Sequence, residues 1–380
     1  MRMRQLGSTG LIVSEIGLGC EHLQGKPERQ VLSTVQAALE GGINFLEVFM
    51  SEPNVRSAIG KAIRGTDAMV QGHIGSTWRD GQYFRSRDYK ACKNAFEDLM
   101  TRLNREYIDV GMIHFIDDPE KWDRFAESDT MAYVRKMREK GVIRAVGLSS
   151  HNPVAAARAV ESGEIEVLLF SLNPVYDMLP PMEIDDLFGE GMRREIKGNR
   201  GMNPLREGLY SLCARKGVGI TVMKAMAGGM LLNPAASPLG RAMTPVQCAH
   251  YALTRPAVAS VMLGAATPEE VKGLLRYETA TDEEKDFSSI LEGQAVSLAG
   301  KCVYCNHCLP CPARLDIGAI QKYMDLAAGS DTVPETVMSH YNDLPHHAGE
   351  CVDCGACEER CPFGVKVRQR MALAKELFGK

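Results

Sequence analysis

Aromatic residues are scarce in this sequence, 6% of 380 with only 2 tryptophans, and no apolar run reaches the roughly 18 residues that a membrane span requires. An excess of either charge is also missing, since 44 Lys and Arg face 48 Asp and Glu. A nucleic-acid partner, which selects a basic face, is therefore not expected. The start, Met1-Arg2-Met3-Arg4-Gln5-Leu6-Gly7, lacks the apolar stretch of a signal peptide. These absences point to a cytoplasmic protein in a reducing compartment. What is present is ordinary for a globular chain: 45% hydrophobic and 24% charged residues, at a length that suggests two or three units.

Cysteine is sparse in one part of the chain and dense in another. Of 12 in all, Cys20, Cys92, Cys213 and Cys248 are scattered, and the others fall between residues 302 and 361 in two groups. In a reducing compartment such grouping reads as metal ligation rather than disulfides. The first group is Cys302, Cys305, Cys308 and Cys311 followed by Pro312, and the second is Cys351, Cys354, Cys357 and Cys361 followed by Pro362. Three cysteines at three-residue intervals wrap a loop around one face of a cuboidal [4Fe–4S] cluster. In two-cluster ferredoxins the fourth, before Pro, ligates the other cluster. On that pattern one cluster takes Cys302, Cys305, Cys308 and Cys361, and the other takes Cys351, Cys354, Cys357 and Cys311. Structural zinc is the alternative, but it uses two separated Cys pairs rather than groups of four ending in Cys-Pro. Between the groups, Ile317 to Ala328 reads as a helix and Gly329 to Ala348 as irregular, with His346-His347 a solvated pair rather than ligands.

Before the cysteines, short apolar runs alternate with helical stretches, the pattern of a parallel sheet wrapped by helices. An opening hairpin (Arg4–Leu6, Leu11–Val13) precedes eight expected strands, at 16–19, 44–48, 68–72, 108–113, 145–148, 167–170, 219–223 and 260–263. Helices are expected near 28–41, 53–64, 88–104, 121–140, 153–162, 205–216, 245–254 and 268–276. Asn152-Pro153, Thr244-Pro245 and Thr267-Pro268 are plain helix starts. Eight strand–helix repeats make a TIM (β/α)8 barrel, with chemistry at the C-terminal strand ends. Those ends carry Cys20 and His22, Glu47, His73, His114, Ser149 to His151, Asn173, Lys224 and Gly264. The 174–204 stretch reads as an insertion, residues 76–88 as a loop beside the mouth, and 282–300 as a charged helix.

Arg4-Gln5-Leu6-Gly7, Gly42-Ile43-Asn44-Phe45, Tyr107-Ile108-Asp109 with His114, Ile143 to Ser149, Gly228-Gly229, Val261 to Gly264, and Cys308 to Pro312 form a further set of motifs. In these the sequence resembles the aldo-keto reductase family, in its branch fused to a C-terminal two-cluster ferredoxin domain. The resemblance covers nearly the whole chain. It implies a barrel over 1–285 and a small α+β ferredoxin-like domain over 286–380. The family's tetrad is Asp, Tyr, Lys and His, with NADPH as hydride donor. Of these only the His stands here, as His114; the Asp, Tyr and Lys positions fall on Glu47, Glu52 and His73. The nicotinamide-stacking aromatic falls on Met223, beside Lys224, and no Arg or Lys follows Gly264 to meet a 2′-phosphate.

The expected function is an iron–sulfur oxidoreductase that reduces a small-molecule substrate with electrons relayed through two clusters. A Glu47–His73 pair stands in for Asp–Lys, His114 or Glu52 is the acid, and Lys224 lies at the same rim. Flavin (FMN) or NADP(H) would be held by Ser149, Ser150, Asn173, Gly228, Gly229, Gly264 and Thr267, the glycines and the helix start at Thr267 taking a phosphate. A reduced ferredoxin or a partner subunit would supply electrons, and exposed clusters suit an anaerobic setting. Two other readings stand beside this one. One is an electron-transfer or partner-binding protein with an inactive barrel. The other is a mononuclear metal held by His73, His114 and Glu47 or Glu52, with Cys20 adding a thiolate.

Overall fold

The computed structural model describes residues 1–181, 202–291, 300, 302, 304, 308–328, 332–361 and 363–380. These form two compact units, one of Met1–Ser171, Val218–Ala225 and Ala259–Glu278, the other of Leu172–Gly217, Met226–Val258 and Thr279–Lys380. The second unit thus gathers segments from both sides of the expected boundary at residue 285.

The first unit opens with a hairpin of β1 (Met3–Gln5) and β2 (Ile12–Ser14). Strands β3 (Ile16–Gly19), β4 (Phe45–Val48) and β5 (Met69–Ile74) follow. A second hairpin, β6 (Ser76–Arg79) and β7 (Gln82–Arg85), precedes β8 (Ile108–Ile113), β9 (Ile143–Ser150), β10 (Val167–Ser171), β11 (Gly219–Met223) and β12 (Val258–Gly264). β3, β4, β5, β8, β9, β10, β11 and β12 close in that order into a parallel barrel. Their residues are almost all buried, as strands covered on both faces must be, which is why they read as continuous apolar runs. Leu6, Leu11 and Val13 of the first hairpin cluster with Phe45, Val110, Ala145, Val167 and Ala259 from the strand starts, closing the N-terminal end. A Cβ on Gly219 would lie 2.6 Å from the Gly7 nitrogen, so the hairpin sits where only glycine admits it. The opposite end is left for the site.

Around this barrel the unit has α1 (Glu28–Glu40), α2 (Pro53–Ala62), α3 (Tyr89–Leu103), α4 (Pro119–Ala126), α5 (Asp129–Glu139) and α6 (Pro153–Ser162). The expected 121–140 helix is two, because Ser128 stops one and caps the next, its Oγ accepting from the Met131 amide (3.2 Å). The expected 76–88 loop is the β6–β7 hairpin instead. Asp80 (φ 51) and Gly81 (φ 76) make the mirror-image turn that right-twisted strands favour.

The second unit holds α7 (Pro204–Lys216) and α8 (Pro245–Leu253), and α9 (Pro268–Thr279) reaches it at Thr279. α10 (Asp282–Lys285), α11 (Ser288–Leu291), α12 (Ile317–Ala327), α13 (Glu335–Asn342), α14 (Ala356–Arg360) and α15 (Val367–Phe378) complete it. The expected 282–300 helix is two short helices as far as residue 291, and 292–299 lie outside the described residues. So do 182–201 of the expected insertion. α13 starts just after Pro334, in a stretch expected to be irregular. His346 Nδ1 meets Glu350 Oε2 at 2.9 Å near the surface, but His347 packs against the Tyr341 ring (5.3 Å) with its Nε2 buried, so only the first of the expected solvated pair is solvated. Inside the unit, buried Asp177 accepts from the Tyr210 and Tyr251 hydroxyls (2.5 and 2.8 Å), with the Arg206 guanidinium 3.7 Å away. A buried carboxylate needs such partners to offset its lost hydration. Arg255 lies 4.4 Å from the Tyr251 ring and 5.4 Å from that of Tyr304, two residues past Cys302.

Candidate active site and cluster loops

At the C-terminal end of the barrel, Glu47 on β4, His73 on β5 and His114 just after β8 come together, as expected. Neighbouring parallel strands in register place them so: Glu47 pairs with Gln71 and His73 with Met112. His73 Nδ1 and His114 Nδ1 are 2.7 Å apart. Glu47 Oε1 lies 3.0 Å from His73 Nε2, close but off the line of a hydrogen bond, which leaves that buried nitrogen without a partner for one. His114 Nε2 is 2.5 Å from the hydroxyl of Tyr83, a residue absent from the expected site. Phe49 stacks on His114 (5.4 Å) and meets Tyr83 edge-on (5.5 Å).

Burial, then His73 and the Arg87 and Arg85 cations, hold His114 well below the usual imidazole value of 6.5, so the ring is neutral. Burial pushes the Tyr83 phenol up, against the pull of Arg85 and Arg87, so it keeps its proton at neutral pH. The His114 shift has a consequence for stability. Once unfolded, the ring takes up a proton near pH 6.5 that the folded ring refuses. Between that value and the lower folded one, the unfolded chain binds more protons, so stability falls as the pH drops. The thermal midpoint should decline from about pH 6.5 downward, and less steeply in His114→Gln, as calorimetry over that range would show.

The other expected site residues stand apart from this cluster. Glu52 is not with the histidines, because its carboxylate accepts from the Gly25 amide (2.7 Å). Lys224 lies 3.9 Å from Glu21 at the rim. Cys20 is buried with its thiol 3.7 Å from the Leu18 carbonyl, and burial, then Glu47, raise its pKa well above the usual range. Among the described residues no three His, Cys, Asp or Glu side chains close around a point as for a single ion. The mononuclear reading therefore lacks a ligand set, since His73 and His114 turn Nδ1 toward each other.

The residues expected to hold FMN or NADP(H) are engaged within the chain. Ser149 Oγ accepts from the Phe115 amide (2.7 Å), and Ser150 Oγ donates to Asp117 (2.9 Å). In the second unit, Asn173 Oδ1 accepts from the Val175 and Tyr176 amides (3.0 and 2.9 Å), and Gly228 and Gly229 make a turn at φ 66 and 89. A Cβ on Gly264 would lie 2.0 Å from His22 Nδ1, so this glycine makes room for a ring. Thr267 Oγ1 accepts from the Glu270 amide (3.2 Å), and the Glu270 carboxylate accepts from the Ala266 amide (2.7 Å). The start of α9 is thus capped by its own acid, and a carboxylate there repels a phosphate.

In the second unit, Cys311, Cys351, Cys354 and Cys357 line one cavity with Val367 and Met371, and Cys308 also reaches its wall. The first four are the set expected for one cluster. Gly355 (φ 79), in the left-handed region, lets the chain turn from Cys354 into α14. The residues flanking Cys361 contact the first group's segment: the Gly300 amide donates to Phe363 O (2.6 Å), and Arg360 reaches Pro310 O (2.8 Å) and Cys308 O (3.3 Å). Cys302, Cys308 and Cys361 are described, and Cys305 lies outside the described residues. Several thiols around one cavity fit a polynuclear group bound at its corners.

A closed parallel barrel with an ionisable mouth, in a chain that also carries two cysteine groups of this kind, defines a TIM-barrel oxidoreductase with an iron–sulfur region. Residues 15–239 match the aldo/keto reductase family and residues 298–365 match a 4Fe-4S dicluster domain. The chain belongs to the aldo/keto reductase family. It is 27% identical over 298 residues to the Bacillus subtilis oxidoreductase YqkF, covering 75% of this chain and 94% of that protein. It is 22% identical to an Escherichia coli NADH-specific methylglyoxal reductase over 72% of this chain and 92% of the other. The fold is shared with the holo form of an aldo-keto reductase from Bacillus halodurans, at TM-score 0.60 and 22% identity, over 77% of this chain and 96% of that one.

Proposed function

We propose that the barrel reduces the carbonyl of a small organic substrate, with Tyr83 as proton donor and with electrons arriving through two [4Fe–4S] clusters. The observation that carries this is the line Tyr83–His114–His73–Glu47, with contacts of 2.5, 2.7 and 3.0 Å. It rebuilds from other positions the acid that the family places at residue 52.

The line can run as a proton wire between neutral rings. It needs one proton delivered at its Glu47 end, with His73 Nδ1–H directed toward His114 Nδ1 and His114 Nε2–H toward the Tyr83 oxygen. Tyr83 gives its proton to the substrate oxygen and takes the one on His114 Nε2. His114 takes the proton of His73 at Nδ1, and His73 takes that of Glu47 at Nε2. The wire ends with Glu47 ionised, every other member neutral and one proton on the substrate. Only the His73–Glu47 contact must align by a small ring rotation, which binding commonly brings about. The low affinity of His114 for a second proton suits this role, since a cationic ring would trap the proton midway.

Cys302, Cys305, Cys308 and Cys361 would hold one cluster and Cys351, Cys354, Cys357 and Cys311 the other, and when bound they supply electrons singly. Reduction of a carbonyl to an alcohol takes two electrons and two protons; the wire delivers the proton at oxygen, and solvent water at the exposed mouth delivers the one at carbon. A reduced ferredoxin or partner subunit is the electron source in this reading.

Anaerobically purified protein should contain about eight irons per chain and consume a small ketone or aldehyde with a reduced viologen. NADPH-driven reduction that continues after the clusters are removed would overturn the reading.

A further inference from the structure

The β6–β7 hairpin brings more than Tyr83 to the mouth. Arg85 lies two residues on, on the same face of β7, about 7 Å along the strand. Its guanidinium sits 4.1 Å from the centre of the Phe115 ring. Phe115 is itself held at φ 56, a conformation costly for a bulky residue. Ser149 Oγ accepts from its amide (2.7 Å), and Arg87 donates to its carbonyl and to that of His114 (2.6 Å). The platform under Arg85 is therefore rigid.

Several arginines on this unit meet carboxylates, as Arg135 does Glu164 (2.8 Å) and Arg144 does Asp109 (3.1 Å). Neither Arg85 nor Arg87 has an acidic partner among the described residues. The acids nearest them in function are taken: Asp117 pairs with His151 (3.0 Å), and Glu47 lies behind His73. Two uncompensated guanidinium groups thus stand beside a phenol that offers a proton. Arg87 is spent on backbone carbonyls, while Arg85 is exposed with its fork open.

We infer that Arg85 anchors a carboxylate of the substrate, so that the barrel takes a small oxo acid whose carbonyl is placed under the Tyr83 hydroxyl. The inference rests on the reductase reading above and names its substrate class. An Arg fork binds a carboxylate through two parallel hydrogen bonds, which fixes orientation as well as affinity. A carbonyl beside that carboxylate is then held against Tyr83.

The test is calorimetric binding of oxamate and its neutral analogue oxamide to the anaerobic full-length protein. Oxamate should bind at least about tenfold more tightly than oxamide, and Arg85→Gln should erase the difference while Arg85→Lys restores part of it. Equal binding of the two probes, or unchanged oxamate binding in Arg85→Gln, would overturn the anchor. So would a loss of NADPH affinity in Arg85→Gln without loss of oxamate, which would give the anion to a nucleotide phosphate. Because binding needs no turnover, the two readings fail separately. Arg85-dependent oxamate binding with no oxo acid reduced keeps the anchor and removes the reductase; Tyr83-dependent reduction of neutral ketones, indifferent to Arg85→Gln, does the reverse.

Discussion

Tyr83→Phe should lower carbonyl turnover by roughly two to four orders of magnitude while leaving the iron content unchanged. The substitution removes one oxygen. The remaining ring keeps its edge contacts with Phe49 and His114, at 5.5 and 5.8 Å, so the aromatic cluster that seats the hairpin survives. What is lost is the group that meets both His114 Nε2 and the substrate. His114→Gln should lower turnover too, because an amide cannot accept a proton on one side and release another on the other. Undiminished turnover in Tyr83→Phe would place the proton donor elsewhere. Undiminished turnover in both variants would remove the wire from the reaction, whereas no turnover in the unaltered protein would leave the barrel a scaffold for an electron-transfer function.

The second large effect concerns the cysteine groups. Cys311→Ser and Cys351→Ser should each remove about four of eight irons and abolish the same electron paramagnetic resonance signal. Cys361→Ser should instead abolish the signal lost in Cys302→Ser. The physical basis is the cavity that Cys311 shares with Cys351, Cys354 and Cys357, together with the contacts that hold the Cys361 segment against the first group. Reduction driven by a one-electron donor should stop in every one of these variants, since a broken chain of carriers conducts nothing. If Cys311→Ser and Cys308→Ser silenced the same signal, each group would hold its own cluster and the crossed assignment would fall.

Much of the barrel is legible in the chain because its signals are local. β3, β8 and β11 match their expected bounds, and Asn152 and Thr244 cap their helices as their place before Pro implies. The hairpin that carries Tyr83 and Arg85 was equally local in principle. Asp80-Gly81 between Ser76–Arg79 and Gln82–Arg85 is a strong hairpin signal, yet the apolar alternation is weak and both strands face solvent in part. Glu52 shows the opposite failure. Its place in the family pattern suggests an acid, but its side chain finds the Gly25 amide, a contact no spacing announces.

The sequence by itself determined that this is a barrel followed by two cysteine groups, because apolar periodicity and three-residue cysteine spacing act between near neighbours. It also determined that Glu47, His73 and His114 share the mouth, since parallel strands bring their C-terminal ends to one side. Only the tertiary structure decided which groups complete the site. Tyr83 and His114 are 31 positions apart, and His73 and His114 are 41 apart. They meet because barrel closure fixes two of them and a twisted hairpin folds the third over the rim. That meeting depends on the angle at which β6 leaves β5 and on the Phe49 ring beneath it, which are properties of packing.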